Sequence, residues 1–457
     1  MAMKESTSMA EKSIVSNSKL IAIADAIREK TGGEGKLTLD ECAIEINNIQ
    51  TGINPSGTLE VTTNGLHDVA SYEKVDVNVQ SGSGGGDTLK ALLDYTKSTS
   101  YMFYNNATIT DLGDYIKKDC TENVTTMSYM FQNCSALTTI PEMDTGKVTD
   151  MYGMFYNCSS LTTIPELNTS NVTTMGYTFY KCAKLTTIPE IDTSKVNDMN
   201  KMFYGCEKLT TIPKINTGNV TNMMDMFYGC SALTTIPKID TGNATTMSNM
   251  FYNCVNLTTI SEIDTSKVVN MIKMFYGCSA LTTIPKIDTS NATTMSNMFY
   301  NCTSLTTIPE MDTSKVNDMS SMFKTCTSLK TIPEMDTSKV TNMSYMFQNC
   351  AKLTNLTLYN IKTNLQIGSK TSYGTLLTQE SLINTCKECV KQRSARTLTV
   401  SSASKTILDS VYVRFTDSSV TTIAVDEKGD VEVCESTDSG AMTIAAYMTL
   451  KSWALKA

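Results

Sequence analysis

Hydrophobic and polar positions divide the chain into stretches with different periods. At the front, Leu20, Ile23, Ala24 and Ile27 fall at helical spacing and stop at Thr31-Gly32-Gly33-Glu34-Gly35. Thr38 and Glu41 then form a capping box ahead of Leu39, Cys42, Ile46 and Ile49. Two helices this short bury little surface, so residues 1–52 are expected to be an attachment segment that docks on another chain. Residues 53–80 switch to period two, with Leu59 and Val61, then Val75, Val77 and Val79, around an Asn64-Gly65 turn. They predict a small β module. Residues 81–98 open on Ser81-Gly82-Ser83-Gly84-Gly85-Gly86 and form a flexible linker and lead-in.

From 99 to 364 the pattern becomes a strict repeat. Cys134, Cys158, Cys182, Cys206, Cys230, Cys254, Cys278, Cys302, Cys326 and Cys350 follow one another at intervals of 24 residues. Each unit repeats the apolar set Cys134, Leu137, Ile140, Met143, Val148, Met151, Met154 and Phe155. Such regularity predicts a solenoid, in which every coil presents the same side chain at the same point and no coil is stable alone. Within a unit, Leu137 to Ile140 is expected to be a short strand ending before Pro141, and Val148 to Phe155 a helical or 3₁₀ turn on the opposite side. At the front of the array Asn106 occupies the cysteine slot, with four extra residues before Cys134. Residues 365–457 abandon the repeat. A helix through Leu382, Ile383 and Val390, strands near 397–400, 411–415, 420–425 and 431–434, and a closing helix from Thr443 to Trp453 predict a small α+β cap domain. The fold class is an α/β solenoid of 24-residue repeats between an N-terminal mounting region and this cap.

Composition narrows the function. A formal net charge of −8, scarce Arg and no basic patch argue against nucleic acid and against anionic membrane surfaces. No stretch is long and apolar enough to insert in a membrane, and Met1 to Ser18 lacks the apolar run of a signal peptide. Synthesis in the bacterial cytoplasm is expected. His67 is the one histidine and lies beside a predicted turn, which removes His-based triads and most zinc hydrolase sites. The acidic residues recur by register instead of converging on a cleft. Neither an enzyme nor any cofactor is expected.

The repeat L-T-T-I-P-x-[IM]-[DN]-T-[SG]-x-V-x-x-M-x-x-M-F-x-x-C resembles the BspA-like class of leucine-rich repeat of bacterial surface proteins and phage-derived structures. The phrase from Ile21 to Gly32, and Gly57-Thr58-Leu59-Glu60-Val61-Thr62 followed by Val75-Asp76-Val77-Asn78-Val79, look like tail-associated proteins of phages of Gram-positive anaerobes. Together they are similar to receptor-binding proteins of phage tails and of diffocin-like bacteriocins. The resemblance implies a homo-oligomeric, baseplate-mounted adhesin, attached to a baseplate or tail protein through residues 1–80 and carried on the particle. Its implied target is a bacterial cell-surface protein or glycan. It departs from secreted BspA-like adhesins in showing no signal peptide or wall anchor, which favours the phage reading. A surface adhesin of the BspA-like class, or a cell-wall hydrolase accessory acting through 365–457, are the rival readings.

Candidate binding residues are the repeated tyrosines Tyr156, Tyr180, Tyr204, Tyr228, Tyr252, Tyr276 and Tyr300, with Lys214, Lys238 and Lys286 at the post-proline position, where Glu142 and Glu166 stand in other coils. The same stripe could be a solvated ladder that binds nothing. The cysteine column is read as a structural ladder of buried thiols, ahead of disulfides or a metal site. The recurring position Asp144, Asn168, Asp192, Asn216, Asp240, Asp264, Asp288, Asp312 and Asp336 is read as a row of turn caps ahead of a calcium row. Cys386 and Cys389 form a lone C-x-x-C on a predicted helix, weak support for zinc or redox chemistry.

Overall fold

The computed structural model describes residues 59–60, 78–79, 98–112, 116, 118–367, 377–392, 394–416, 423, 427–429 and 431–456. The helices expected within 1–52, the linker 81–97, and His67 lie outside them. The chain forms two compact units, one of residues 1–207 with 213–216 and one of 208–212 with 217–457. In the first, β1 (Leu59–Glu60) pairs antiparallel with β2 (Asn78–Val79).

Stacked coils make up the described residues of the first unit from 98 onward and much of the second. Parallel bridges link residues one coil apart, Thr126 to Asp150, Asp150 to Thr174 and Thr174 to Asp198, then Asn222 to Thr246, Asn270, Thr294, Asp318 and Asn342 in succession. This wall of the coil is neither helix nor 3₁₀, contrary to the sequence expectation. The N–H groups of Met127, Tyr129, Phe131 and Asn133 donate to the carbonyls of Asp150, Tyr152, Met154 and Tyr156 in the next coil at 2.8–2.9 Å. The intervening N–H groups of Met130, Gln132 and Cys134 turn back to residues three earlier. Two residues per coil, four apart, are left-handed, as in Tyr129 (φ 53°) with Asn133 (φ 61°) and Gly153 (φ 61°) with Asn157 (φ 58°). A helix would direct every N–H back into the coil. Consecutive turns with left-handed joints point alternate N–H groups at the neighbour, so stacking replaces helical bonding. The residue before each cysteine sits at the second joint. It is Asn or Gly in most coils, the types that tolerate positive φ.

The other wall is thinner than predicted. Thr138 N–H donates to Thr110 O, Thr162 N–H to Thr138 O and Thr186 N–H to Thr162 O at 3.1–3.2 Å, one main-chain bond per coil. The threonine hydroxyls reinforce the same carbonyls. A full strand forms only late, where β3 (Thr331–Asp336) pairs parallel with β4 (Asn355–Tyr359). Its Pro333 lies inside the strand, not past it, and the register shifts between Ile332 and Met335, since proline has no N–H to give. The first coil takes up its extra residues in a 3₁₀ turn, Lys118–Thr121.

The core is a set of one-residue columns. Phe131, Phe155, Phe179 and Phe203 stack at 5.6 Å and 6–8°, and Phe227 through Phe347 continue the pattern in the second unit at 5.5–5.8 Å. Beside them the thiols of Cys158, Cys182, Cys254 and Cys278 donate to the carbonyls of Phe131, Phe155, Phe227 and Phe251 one coil back at 3.0–3.1 Å. Burial pushes Cys134 and Cys254 up to about 12. A third column is polar. The buried hydroxyls of Thr145, Thr169, Thr289 and Thr313 donate to the next coil at Asn168, Asp192, Asp312 and Asp336 O, at 2.8–2.9 Å.

The ladder does not stop at 364. Thr378 N–H reaches Thr354 O at 2.9 Å, and Ile361 donates to Glu388 O at the end of α1 (Gln379–Glu388) and accepts from Val390 N–H. β5 (Leu365–Gln366), β6 (Arg396–Thr399) and β10 (Trp453–Lys456) form a parallel sheet, while β7 (Tyr412–Phe415) pairs antiparallel with β8 (Val431–Cys434) and β9 (Met442–Thr443). Sequence reading missed α2 (Ser402–Asp409), although Ser401 caps it. It also ran the last helix too far. α3 (Ile444–Leu450) stops early and Trp453 begins a strand, its Nε1 donating to Val390 O at 2.9 Å. Val390 itself lies just past α1.

Candidate binding surface

The turn wall that supplies the coil-to-coil bonds also carries the tyrosines, because the residue after each buried Phe points outward. In the second unit Tyr228, Tyr252, Tyr276 and Tyr300 stand half-buried in one column, with rings 4.3, 4.4 and 4.6 Å apart and within 5° of parallel. Each inner ring is covered on both faces by its neighbours, so the column shows solvent only edges and hydroxyls. Burial, followed by the neighbouring phenols, pushes Tyr276 up to about 12. Lys324 takes the tyrosine position in the next coil. Its Nζ sits 5.4 Å from the Tyr300 ring centroid and 5.1 Å from that of the exposed Tyr345.

The first unit is built differently. Tyr156, Tyr180 and Tyr204 continue the regular motif at 4.4 and 4.6 Å. A second set, which sequence reading missed, lies beside them. Tyr101 stacks on Tyr129 at 5.0 Å, Tyr129 meets Tyr152 edge-on at 5.4 Å and 70°, and Tyr152 meets Tyr177 at 5.4 Å and 44°. Tyr177 joins the two sets, 6.1 Å from Tyr156 and 5.5 Å from Tyr180. Lys201 Nζ donates to Tyr177 Oη at 3.2 Å and lies 5.2 Å from its ring centroid. Two glycines make room for the rings. A Cβ on Gly153 would stand 2.5 Å from the Tyr129 ring, and one on Gly176 would stand 2.8 Å from that of Tyr152. Burial raises the phenols of Tyr129 and Tyr152, with the next tyrosine's charge adding to it, and Tyr180 rises to about 12 for the same reasons.

Lys214, Lys238 and Lys286 do not join this surface. They are exposed on the extended segment that follows the proline position, away from the turn wall in the path of the coil. On the turn wall the described cations over tyrosine rings are Lys181, Lys201 and Lys324. These could have been found in the sequence, since Lys181 and Lys201 sit at the left-handed joints and Lys324 in the tyrosine slot.

The recurring acidic residues are occupied locally. Asp192, Asp264, Asp288 and Asp312 each accept the N–H of the serine two residues on at 2.9 Å, and Asp144 that of Gly146. The serine hydroxyls and amides hold Asp264, Asp288 and Asp312 below the usual carboxylate range. Among the described residues no three His, Cys, Asp or Glu side chains are grouped to hold a metal ion. Cys386 and Cys389 are buried, with Cys389 donating to Thr385 O, and burial raises both thiols away from reactive thiolate. Beside them the buried Lys451 donates to the Cys386 and Lys387 carbonyls at 3.0 and 2.7 Å, closing the end of α1. No helix among the described residues is long and apolar enough to cross a membrane.

Comparison with known proteins gives a family for the coils. The profile described as "Mycoplasma protein of unknown function, DUF285" matches residues 97–209, 184–284 and 280–375. Among solved structures the chain is similar to a leucine-rich repeat protein from Bacteroides ovatus, at 17% identity over 76% of this chain and 94% of that one, with a TM-score of 0.29. It is also similar to one from Eubacterium ventriosum, at 21% identity over 59% and 86%, with a TM-score of 0.32. A third likeness is to the functional domain of InlJ from Listeria monocytogenes, whose description includes a cysteine ladder, at 14% identity over 71% and 73%, with a TM-score of 0.21. No curated protein matches the chain. With its coils matched over more than half its length, the chain belongs to the DUF285 family.

Proposed function

We propose that this chain is the receptor-binding protein of a phage tail or phage-tail-like bacteriocin, adhering without covalent chemistry to a protein or glycan on a bacterial cell. One observation carries the binding half of the reading. The coils satisfy their own backbone through stacking, yet beside the regular column the first unit holds a second set of half-buried tyrosines, Tyr129, Tyr152 and Tyr177, that most other coils stack without. Tyrosine offers a large contact area and a hydroxyl at low cost in conformational entropy. The particle half rests on the resemblance of Ile21 to Gly32, Gly57 to Thr62 and Val75 to Val79 to phage-tail proteins. In this reading residues 1–80 mount the chain, as a homo-oligomer, on a baseplate or tail protein. Several copies then multiply weak contacts through effective concentration. No bond is made or broken.

The test uses the full chain. Labelled protein is applied to a panel of Gram-positive anaerobes, and purified tail particles from producing cells are probed with an antibody to it. Decoration of a subset of strains, with the antibody marking the tail tip, is the expected result. Labelling of the producing cell's own surface with bare particles would make it a cell-surface adhesin instead. Absence from both surfaces and from the particles ends the reading.

A further inference from the structure

The repeats are an internal control for one another. Whatever stacking requires must recur every 24 residues, and whatever occurs in a few coils serves something else. By that criterion the turn wall of the first unit is exceptional. The position held by Tyr152 is Ser128, Gly176 and Asn200 in neighbouring coils, and Met224, Ser248, Ile272, Ser296, Ser320 and Ser344 in later ones, so no other coil has an aromatic ring there. The next position alternates Tyr129, Gly153, Tyr177 and Lys201, where later coils carry Asp225, Asn249, Lys273, Asn297 and Ser321 before a single Tyr345 in the last coil. Tyrosine in one coil faces glycine in the next, so the rings and the space for them occur together.

We infer that this patch, centred on Tyr129, Tyr152 and Tyr177, is a binding site for a neutral glycan, an inference that rests on the adhesive reading above. The central Tyr152 ring meets Tyr129 at 70° and Tyr177 at 44°, so it is not covered face to face as rings in the 2–5° column are, and an aromatic face packs against the C–H face of a pyranose. Tyr129 is stacked by Tyr101, and Tyr177 carries Lys201 over its ring. Polar groups for sugar hydroxyls surround them. Asp198 Oδ2 would stand 2.9 Å from a Cβ on Gly176, beside the Tyr152 ring, and Lys201 borders Tyr177. The charges present, Asp150 and Asp198 against Lys201, are the wrong balance for a phosphate-bearing polymer. A peptide adding as a strand is also disfavoured, because the Tyr129, Gly153 and Tyr177 N–H groups already donate to the next coil at 2.8–2.9 Å.

The experiment titrates the full chain with chitohexaose, mannohexaose and laminarihexaose, followed by calorimetry and saturation-transfer NMR. Binding of at least one is expected, weakened at least tenfold by Tyr152→Ala or Tyr177→Ala and unchanged by Tyr276→Ala in the regular column. Lys201→Gln, a border change that leaves every core column intact, is expected to weaken binding severalfold even if a tyrosine variant folds poorly. The inference is overturned if none of the three sugars binds, if Tyr276→Ala weakens binding as much as the patch variants, or if a lipoteichoic acid or peptide ligand binds the patch instead. Adhesion to whole cells separates the two readings. Patch variants that adhere like wild type remove the glycan site and leave the adhesin; a wild-type chain that never adheres removes the adhesin, while the sugar titration is still decided on its own result.

Discussion

The tyrosines of residues 101–204 and those of 228–300 stand on the same scaffold and differ in what that scaffold is allowed to display. Both regions have the buried Phe stack, the thiol-to-carbonyl bonds and the alternating turn bonds. In the later region one tyrosine per coil repeats without interruption, and like rings in identical positions have little choice but to stack face to face. In the earlier region Gly153 and Gly176 break the repetition, and the rings tilt into the vacated space. Regular repetition therefore stabilises a surface but closes its aromatic faces. Departure from repetition opens them.

If the scaffold is common, conditions that attack it should release both regions together. Alkali is the strongest such attack. Burial holds the thiols of Cys134 and Cys254 up to about 12, against 9.0 for the unperturbed group. A raised folded-state value means the stabilisation is complete below pH 9 and is lost as pH climbs toward 12, because the unfolded chain ionises first. A shift of that size corresponds to on the order of 4 kcal/mol for one buried thiol, and the column contains several. Circular dichroism followed from pH 8 to 12 should show loss of structure beginning soon after pH 9. Full retention of the signal at pH 11.5 would mean the thiols are not sealed as described.

Next in size is the Phe stack. Phe155→Ala and Phe275→Ala each delete a fully buried ring between two parallel neighbours. Each should cost about 3–5 kcal/mol in denaturant unfolding, and the two values should agree within about 1 kcal/mol. A large discrepancy would show that the two regions do not share one scaffold after all.

Sequence alone disclosed the scaffold and misjudged the surface, for a physical reason. The buried columns recur at every coil, so their spacing is visible without coordinates, as with Cys134, Leu137 and Phe155. The helical expectation for the turn wall fails because Met151, Met154 and Phe155 have nearly helical spacing, whereas the left-handed joints are signalled only by Asn or Gly before most of the cysteines. The strand expectation overreaches because β-branched residues and a proline suit a strand with its stop, while most coils make a single bond there. Tyr129, Tyr152 and Tyr177 escaped notice because they violate the period that made the rest legible. Lys214, Lys238 and Lys286 were grouped with the tyrosines by alternating charge, a pattern that says nothing about which wall of the coil a residue occupies.

The glycines sharpen the comparison at an intermediate scale. Gly153→Ala places a Cβ in the Tyr129 ring on a left-handed backbone, and should cost about 1–3 kcal/mol. Asn249 holds the corresponding left-handed joint in the later region, with no glycine needed. Asn249→Gly should stay within about 0.5 kcal/mol of wild type. Thermal melts of the two variants decide it, and a harmless Gly153→Ala would show that Tyr129 is not seated over that glycine.

The smallest expected effect concerns the cations that border the two tyrosine sets. Lys201 meets one ring and its hydroxyl at Tyr177, whereas Lys324 lies between Tyr300 and Tyr345. Exposed cation–aromatic contacts contribute roughly 0.5–1 kcal/mol each, and methionine retains most of the apolar stem while removing the charge. Lys324→Met should therefore be the costlier change, by at most about 1 kcal/mol, because it loses two rings and not one. The term belongs to the pair only if it disappears when the ring is already gone. A double-mutant cycle of Lys324→Met with Tyr345→Leu isolates it, and a parallel cycle of Lys201→Met with Tyr177→Phe isolates the hydroxyl alone, since the phenyl face remains. Equal coupling in the two cycles would contradict the geometry, because the Tyr345 change removes an aromatic face from Lys324 whereas the Tyr177 change removes only a hydroxyl from Lys201.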